Sequence, residues 1–175
     1  MKFRPIVETE IKFRVPSVQE ARKQLRTLDF QILVKMQNEK TVIWDKQGSL
    51  KETDCVLRLR DYNKKTTLTF KQAKVKHPYL KIRPEAQTIV DDRQNTEQIL
   101  IWLGFEPVMT MVKNREIWQR SELIACLDET PFGSFMELEG EPHAIKLAME
   151  TLCTDNSRIE SRGYPSLFKA HAVRD

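Results

Sequence analysis

Most of the chain alternates apolar and polar residues with a period of two, which is the pattern of half-buried β-strands. In the segment 7–13, for example, Val7, Ile11 and Phe13 would face one side of a strand, and the charged residues between them would face the other. The alternation recurs along the chain and predicts eight strands. They lie near residues 6–15, 31–44, 53–61, 65–74, 79–91, 107–119, 122–129 and 134–140.

The alternation is interrupted where the chain carries signals for short helices. Ser17 and Glu20 form a capping box after the first strand, and Asn95 opens a second signature of the same kind. Gly104 has the position of a glycine just beyond a helix, and Pro142 has that of a first helical residue. The predicted helices span about residues 17–28, 95–104 and 142–152, with a short last helix after Gly163.

Eight strands in an antiparallel order favour a closed barrel over a doubly wound sheet, and eight is a strand number whose interior can hold a small ligand. We therefore predict an α+β fold: an eight-stranded antiparallel β-barrel, or tunnel, with helices packed outside. Pro84 lacks a donor for the ladder, so it predicts an edge or a bulge in the fifth strand. No linker or internal repeat divides the sequence, which predicts a single domain over residues 1–175.

Composition narrows the functional classes. The charged share is 31% and the net charge is +4, which favours an anionic partner. Cys55, Cys126 and Cys153 lie far apart and predict neither a disulfide framework nor structural zinc. We find no segment resembling a signal peptide and no run of membrane-span length, which predicts a cytoplasmic protein without a membrane partner.

Charged side chains share one face of most predicted strands, because residues i and i+2 project to the same side. A single strand of this kind is most simply explained as a solvated face. Together, however, the charges are segregated, with carboxylate pairs in the first and last strands and cation pairs between them. The cations are Lys12, Arg58, Arg60, Lys71, Lys81, Arg83, Lys113 and Arg115, and the carboxylates are Glu8, Glu10, Glu85, Asp128, Glu137 and Glu139.

Fourteen charges turned inward would be costly without a ligand, because unpaired buried ions are strongly disfavoured. Arginine and lysine suit phosphate oxygens, and clustered carboxylates suit Mg²⁺ or Mn²⁺. The pattern therefore predicts a barrel interior that binds a polyphosphate together with a metal ion.

The ordered set of motifs closely resembles the CYTH family, also called triphosphate tunnel metalloenzymes. The opening ExExK signature of that family matches residues 8–12, its RxR strand matches residues 58–60, and its late ExE pair matches residues 137–139. The other matches are Lys71, the RxE element at 83–85, the KxR element at 113–115 and Asp128, and the family's SY element is loosely echoed by Ser161 and Tyr164. The resemblance implies an eight-stranded tunnel, a requirement for Mg²⁺ or Mn²⁺, and a small-molecule substrate that bears a triphosphate.

The resemblance also implies roles for these residues in a metal-dependent triphosphatase. The role of Lys81 stays open, with substrate binding, proton transfer and a place at the tunnel mouth as the alternatives. The role of Glu85 also stays open. The predicted metal ligands are Glu8, Glu10, Asp128, Glu137 and Glu139. The predicted substrate-binding residues are Lys12, Arg58, Arg60, Lys71, Arg83, Lys113 and Arg115, and the predicted catalytic residues are Lys12, Arg58, Arg60 and Lys81.

Two other functions stay open on the sequence alone. A class IV adenylate cyclase would use the same tunnel to convert ATP to cyclic AMP and pyrophosphate. A non-catalytic binder of polyphosphate or RNA would use the basic stretch 71–77, but nucleic acid is disfavoured because such a binder has little use for five carboxylates. Also open are the organic part of the substrate (thiamine triphosphate, inorganic tripolyphosphate or a nucleoside triphosphate), the preferred metal, and the choice between monomer and homodimer.

Overall fold

The computed structural model describes residues 6–153 and 155–173. Its strands are β1 (Ile6–Val15), β2 (Gln31–Asp45), β3 (Val56–Tyr62), β4 (Lys65–Lys71), β5 (Lys81–Val90), β6 (Glu106–Arg120), β7 (Leu123–Thr130) and β8 (Gly133–Glu139). They pair in the closed order β1-β5-β4-β3-β2-β6-β7-β8, and the pairs whose register is defined are antiparallel. The predicted eight-stranded antiparallel barrel is confirmed.

Five α-helices accompany the strands within the described ranges. They are α1 (Val18–Thr27), α2 (Ser49–Glu52), α3 (Arg93–Trp102), α4 (Pro142–Leu152) and α5 (Tyr164–Ala172), and a 3-10 turn spans Asn156–Arg158. None of these helices has both the length and the apolar character needed to cross a membrane.

The helix boundaries follow local capping chemistry. Ser17 Oγ accepts a hydrogen bond from the backbone N–H of Glu20 (3.2 Å), so the predicted cap of α1 is confirmed. The cap predicted at Asn95 is wrong, because Asp92 accepts from the Asn95 N–H (2.9 Å) and α3 begins earlier. Gly104 follows α3 with a φ of 85°, the left-handed conformation expected just beyond a helix.

Three strands are shorter than predicted: β5 spans Lys81–Val90 where residues 79–91 were predicted, and β3 and β4 are shortened for reasons of backbone geometry. β3 begins only at Val56, because α2 and the positive φ of Asp54 (53°) precede it. β4 ends at Lys71, where the next pairing position meets Pro84: the Gln72 N–H donates to the Pro84 carbonyl (2.9 Å), and proline cannot return a bond. Since β5 has a paired strand on each side, Pro84 does not mark the edge that the sequence suggested.

The described residues form two compact units. The first comprises residues 6–7, 39–75 and 83–112, and the second comprises residues 8–38, 76–82 and 113 onward. The core of the first unit is made by β2, β3 and α3; its buried residues are Val42, Trp44, Leu57, Leu59 and Leu100.

In the second unit, apolar side chains of β1, β7 and β8 pack against α1 and α4. Phe13, Leu127 and Met136 are fully buried there, and the helices contribute Leu25 and Leu152. These strand residues alternate with the charged positions of the same strands, so the helices cover the face opposite to the charges. Neither α1 nor α4 therefore packs on the charged face of these strands.

Candidate functional site

All fourteen charges predicted to point inward lie on strands at buried or half-buried positions. Lys12, Asp128 and Glu137 are only 1%, 0% and 4% exposed. Side chains of these types are almost never so deeply buried unless they are paired. A solvated strand face, which is the simplest interpretation of any one segment, therefore does not describe these positions.

Three carboxylates of the second unit form a group that could hold a metal ion. One oxygen from each of Glu8, Glu10 and Glu139 lies within 4.8 Å of the others. The register of β1 and β8 places Glu10 directly opposite Glu139, and Glu8 lies two residues before Glu10 on the same face. Sequence alternation and strand register together thus build this acidic cluster, defined as Glu8, Glu10 and Glu139.

The electrostatics of the acidic cluster fit a divalent cation. Burial, and then the neighbouring carboxylate of Glu10, raise the pKa of Glu139 to about 7. A bound cation would relieve this repulsion, because it favours the ionised form of both groups. The donors are all carboxylate oxygens, which suit a hard ion such as Mg²⁺ or Mn²⁺ better than a soft one.

The other two predicted metal ligands, Asp128 and Glu137, are held by cations. Asp128 accepts hydrogen bonds from Lys113 Nζ (2.9 Å) and from Nε and Nη2 of Arg115 (both 2.6 Å). Glu137 pairs with Arg115 and with Lys12 (3.5 Å). Burial opposes ionisation of Glu137, but Arg115 and then Lys12 hold its pKa well below the usual value. Metal ligation by these two residues stays a prediction, and their ion pairs orient three predicted substrate-binding cations.

Lys12 and Lys81 differ in their electrostatic surroundings. Burial lowers the pKa of Lys12 to about 8, even though Glu137 lies directly opposite on β8 and acts in the other direction. Burial acts to lower the pKa of Lys81 as well, but the charges of Glu10 and then Glu137 outweigh burial and raise it. The Nζ atom of Lys81 lies 3.2 Å from Glu10 Oε1. Lys81 therefore keeps its charge, whereas Lys12 can exchange a proton near pH 8.

Tyr164, at the start of α5, joins this site although sequence analysis did not include it. Its hydroxyl donates to Asp128 Oδ2 (2.5 Å), and its ring centroid lies 3.9 Å from Lys12 Nζ and 3.7 Å from Lys113 Nζ. Burial, and then the charge of Asp128, raises the pKa of Tyr164 well above its usual value, so the hydroxyl stays a donor. The loose echo of the SY element was the signal that could have identified it.

A main-chain group also belongs to the site. The carbonyl oxygen of Arg162 accepts hydrogen bonds from Lys12 Nζ (2.9 Å) and from Lys81 Nζ (3.3 Å). Every residue type except proline carries the same backbone donor and acceptor, so nothing in the sequence distinguishes this carbonyl.

In the first unit, three of the predicted substrate-binding cations are oriented by carboxylates. Arg58 lies two residues before Arg60 on β3 and shares its face. Lys71 and Glu85 stand directly opposite each other on β4 and β5, so Glu85 pairs with a predicted substrate-binding cation. The ion pairs are Arg60–Glu39 (3.4 Å), Lys71–Glu85 (3.2 Å) and Arg83–Asp54 (2.8 Å).

Comparison with known families and proteins finds similarity over most of the chain. A family model described as the CYTH domain matches residues 7–160. The chain is also 30% identical over 135 residues to "Putative adenylate cyclase MJ0240" of Methanocaldococcus jannaschii, and the match covers 77% of each protein.

Solved structures share the fold over nearly the whole chain. The PH1819 protein of Pyrococcus horikoshii OT3 is 25% identical with a TM-score of 0.76, and the match covers 94% of this chain and 99% of that one. A "putative adenylate cyclase" of Vibrio parahaemolyticus is 18% identical with a TM-score of 0.78 and coverages of 95% and 99%. A Hippeastrum protein, described as a "putative adenylyl cyclase" with a dominant triphosphatase activity, is 22% identical with a TM-score of 0.71 and coverages of 94% and 96%.

Proposed function

This chain belongs to the CYTH family, and on that premise we propose that it hydrolyses a small molecule bearing a triphosphate in a metal-dependent reaction. The substrate would be thiamine triphosphate, inorganic tripolyphosphate or a nucleoside triphosphate. The observation that carries the proposal is the acidic cluster, because it lies in direct contact with Lys81, a predicted substrate-binding or catalytic cation. Carboxylates that gather a metal ion beside cations that bind phosphate are the components that phosphoryl transfer requires.

We assign Mg²⁺ or Mn²⁺ to the acidic cluster. When bound there, the ion would neutralise phosphate charge and lower the pKa of a bound water. Asp128 and Glu137 would act through Lys12, Lys113 and Arg115, the cations that they orient. The metal ligation predicted for these two carboxylates stays a prediction.

The cations would bind the phosphate oxygens and stabilise the charge that develops during transfer. We assign this role to the predicted substrate-binding residues Lys12, Arg58, Arg60, Lys71, Arg83, Lys113 and Arg115, together with the predicted catalytic residue Lys81. Among these groups Lys12 is best suited to move a proton near neutral pH, because burial lowers its pKa to about 8. Hydrolysis would form a bond from the water oxygen to the terminal phosphorus and break the phosphoanhydride bond to that phosphorus. Orthophosphate and the remaining diphosphate would be the products, and the proton of the water would pass to a base or to solvent.

A second candidate is a class IV adenylate cyclase, and the name of the Methanocaldococcus jannaschii relative favours it. The same cations would hold the triphosphate of ATP. The ribose 3′-hydroxyl would replace water as the nucleophile and attack the α-phosphorus, with pyrophosphate as the leaving group.

One assay separates these candidates. Purified protein is incubated with inorganic tripolyphosphate, thiamine triphosphate and ATP, each with Mg²⁺ and with Mn²⁺, while orthophosphate and cyclic AMP are measured. Orthophosphate release supports the triphosphatase, and cyclic AMP with pyrophosphate supports the cyclase. Glu10→Gln and Glu139→Gln should lose turnover, whereas Glu106→Gln, at an exposed position of β6, should keep it. Absence of both products from every substrate, or full turnover in Glu10→Gln, would contradict the proposal.

A further inference from the structure

Three lysines of the site are contacted by one short segment that precedes and begins α5. The carbonyl of Arg162 accepts from Lys12 and Lys81, and the ring of Tyr164 lies against the ammonium groups of Lys12 and Lys113. Each lysine therefore has a defined position supplied by groups other than a substrate.

Backbone bonds fix this segment to β1. Ile159 forms a β-bridge with Phe13, and the Glu160 N–H donates to the Lys12 carbonyl (2.8 Å). The Glu160 carboxylate then accepts from the backbone N–H (3.1 Å) and from Nε (2.8 Å) of Arg162. The segment is thus held immediately before the point where it meets the lysines.

We propose that Tyr164 is a positioning residue of the site, with its ring holding the ammonium groups of Lys12 and Lys113 and its hydroxyl anchored on Asp128. The proposal rests on the proposed function, because it assigns these two lysines to the phosphates of the substrate.

The chemistry of the ring explains why a tyrosine suits this place. Lysine carries a point charge on a flexible stem of four carbons, and fixing that stem costs conformational entropy whenever an anion is bound. Asp128 and Glu137 already pair with Lys113 and Lys12, and any further carboxylate would add negative charge that competes with phosphate. An aromatic face attracts the cation through its quadrupole and carries no net charge, so the lysine is held while its charge stays available.

The ring itself is held from two directions. The hydrogen bond to Asp128 fixes the hydroxyl, and Phe135 packs edge-on at 5.9 Å between ring centroids with an interplanar angle of 88°. Asp128 in turn accepts from Lys113, so the hydroxyl and one of the two ammonium groups share an acceptor. The orientation of the ring and that of the lysines are therefore coupled.

Substitution of Tyr164 separates the roles of ring and hydroxyl. Tyr164→Phe keeps the ring, Tyr164→Leu removes it, and Tyr79→Leu is the matched control at a tyrosine that is 65% exposed. For hydrolysis of tripolyphosphate with Mg²⁺, we expect Tyr164→Leu to raise KM about tenfold, the scale of a desolvated cation–π contact. KM should stay within about threefold of wild type in Tyr164→Phe, because the ring contacts persist, and Tyr79→Leu should match wild type.

A spectroscopic readout tests the contact without any turnover. The ring of Tyr164 should shift the ε-methylene protons of Lys12 and Lys113 upfield in the NMR spectrum. These shifts should persist in Tyr164→Phe and vanish in Tyr164→Leu, and Lys12→Arg and Lys113→Arg assign them. Circular dichroism checks folding, and Tyr164→Met replaces the leucine variant if that variant does not fold.

The outcomes distinguish this proposal from the proposed function. Wild-type protein that turns over no triphosphate would overturn both. Turnover in wild type with an unchanged KM in folded Tyr164→Leu would overturn the positioning role alone. Equal damage in Tyr164→Phe and Tyr164→Leu would also overturn it, because the hydroxyl would then carry the effect, and so would upfield lysine shifts that survive in Tyr164→Leu.

Discussion

Lys81 Nζ lies 3.2 Å from Glu10 Oε1, so a predicted catalytic cation forms an ion pair with a carboxylate of the acidic cluster. A metal ion and Lys81 therefore compete for the same negative charge. A substrate phosphate would bind to both the metal ion and Lys81, because both are positively charged. On the proposed function, this pair would couple metal binding and substrate binding in one contact.

Replacing Lys81 should affect metal and substrate in opposite directions. In Lys81→Met, we expect Mn²⁺ to bind several-fold more tightly, because a competing positive charge is gone, as titration by calorimetry would measure. The kcat/KM for the triphosphate should fall by about tenfold or more, because a phosphate-facing charge is lost. Lys81→Arg is the control that keeps the charge. Weaker Mn²⁺ binding in Lys81→Met would contradict this account.

Metal affinity should fall as pH decreases below about 7, because Glu139 has a pKa of about 7 in the metal-free protein. The sign follows from competition: above this pH Glu139 is ionised and ready to bind, and below it a proton must leave first. The loss should approach about tenfold per pH unit. Mn²⁺ titrations between pH 5.5 and 8.5 measure this, and Glu139→Gln should bind weakly with a flatter profile. A wild-type affinity that does not change over this range would rule out Glu139 as the titrating ligand.

Asp128→Asn should destabilise the fold. The substitution removes a buried counter-charge of Lys113 and one of the two carboxylates that pair with Arg115, and breaking one partner of such a pair typically costs about 3–5 kcal/mol. Urea unfolding measures the change, with the exposed neighbour Glu129→Gln as the control. Mn²⁺ affinity is measured in parallel, and we expect a smaller loss than in Glu139→Gln. An equal loss would instead support the metal ligation of Asp128 that was predicted from the sequence.

Glu85→Gln should raise the KM of the triphosphate with little change in kcat. The carboxylate stands opposite Lys71 and holds its ammonium group at 3.2 Å, so its loss removes a group that positions the lysine. We expect an increase in KM of about threefold to tenfold, within the range of one charge-assisted contact. Mn²⁺ affinity should not change, because Glu85 lies outside the acidic cluster. A lowered KM would show that Glu85 competes for Lys71 instead of presenting it.

Substrate binding should be accompanied by proton uptake at pH 8.5. Burial lowers the pKa of Lys12 to about 8, so part of Lys12 is neutral at that pH, and a polyanion raises the pKa again by favouring the charged form. Calorimetry in buffers of different ionisation enthalpy measures the number of protons taken up. In Lys12→Arg the uptake assigned to Lys12 should disappear, because arginine stays charged. Equal uptake in both proteins would assign the proton to another group.

The side-chain alternation was sufficient to identify the charged positions. Once Glu10 and Lys12 were assigned to one face of β1, the period of two determined that Ile11 and Phe13 would enter the core, and both are buried. The pairings were not accessible in this way. That Lys71 meets Glu85 depends on register, which a list of strands does not contain.

Other features escaped prediction because their signals were ambiguous or absent. Asp92 and Asn95 are both good capping residues, so composition alone could not choose between them. The carbonyl of Arg162 has no signature at all, and the role of Tyr164 depends on where the start of α5 meets the site. Contacts made by the backbone, or between segments distant in sequence, could therefore be identified only from the structure.

The register that places Glu10 opposite Glu139 has a consequence for how the protein folds. These residues come from the first and last strands of the barrel, so the acidic cluster forms only when the pairing with the longest sequence separation is made. Pairings of that kind bear the largest loop-closure entropy and tend to form slowly. In a refolding experiment the gain of Mn²⁺ binding should therefore follow the burial of Trp118, and the metal would report completion of the chain's last folding step.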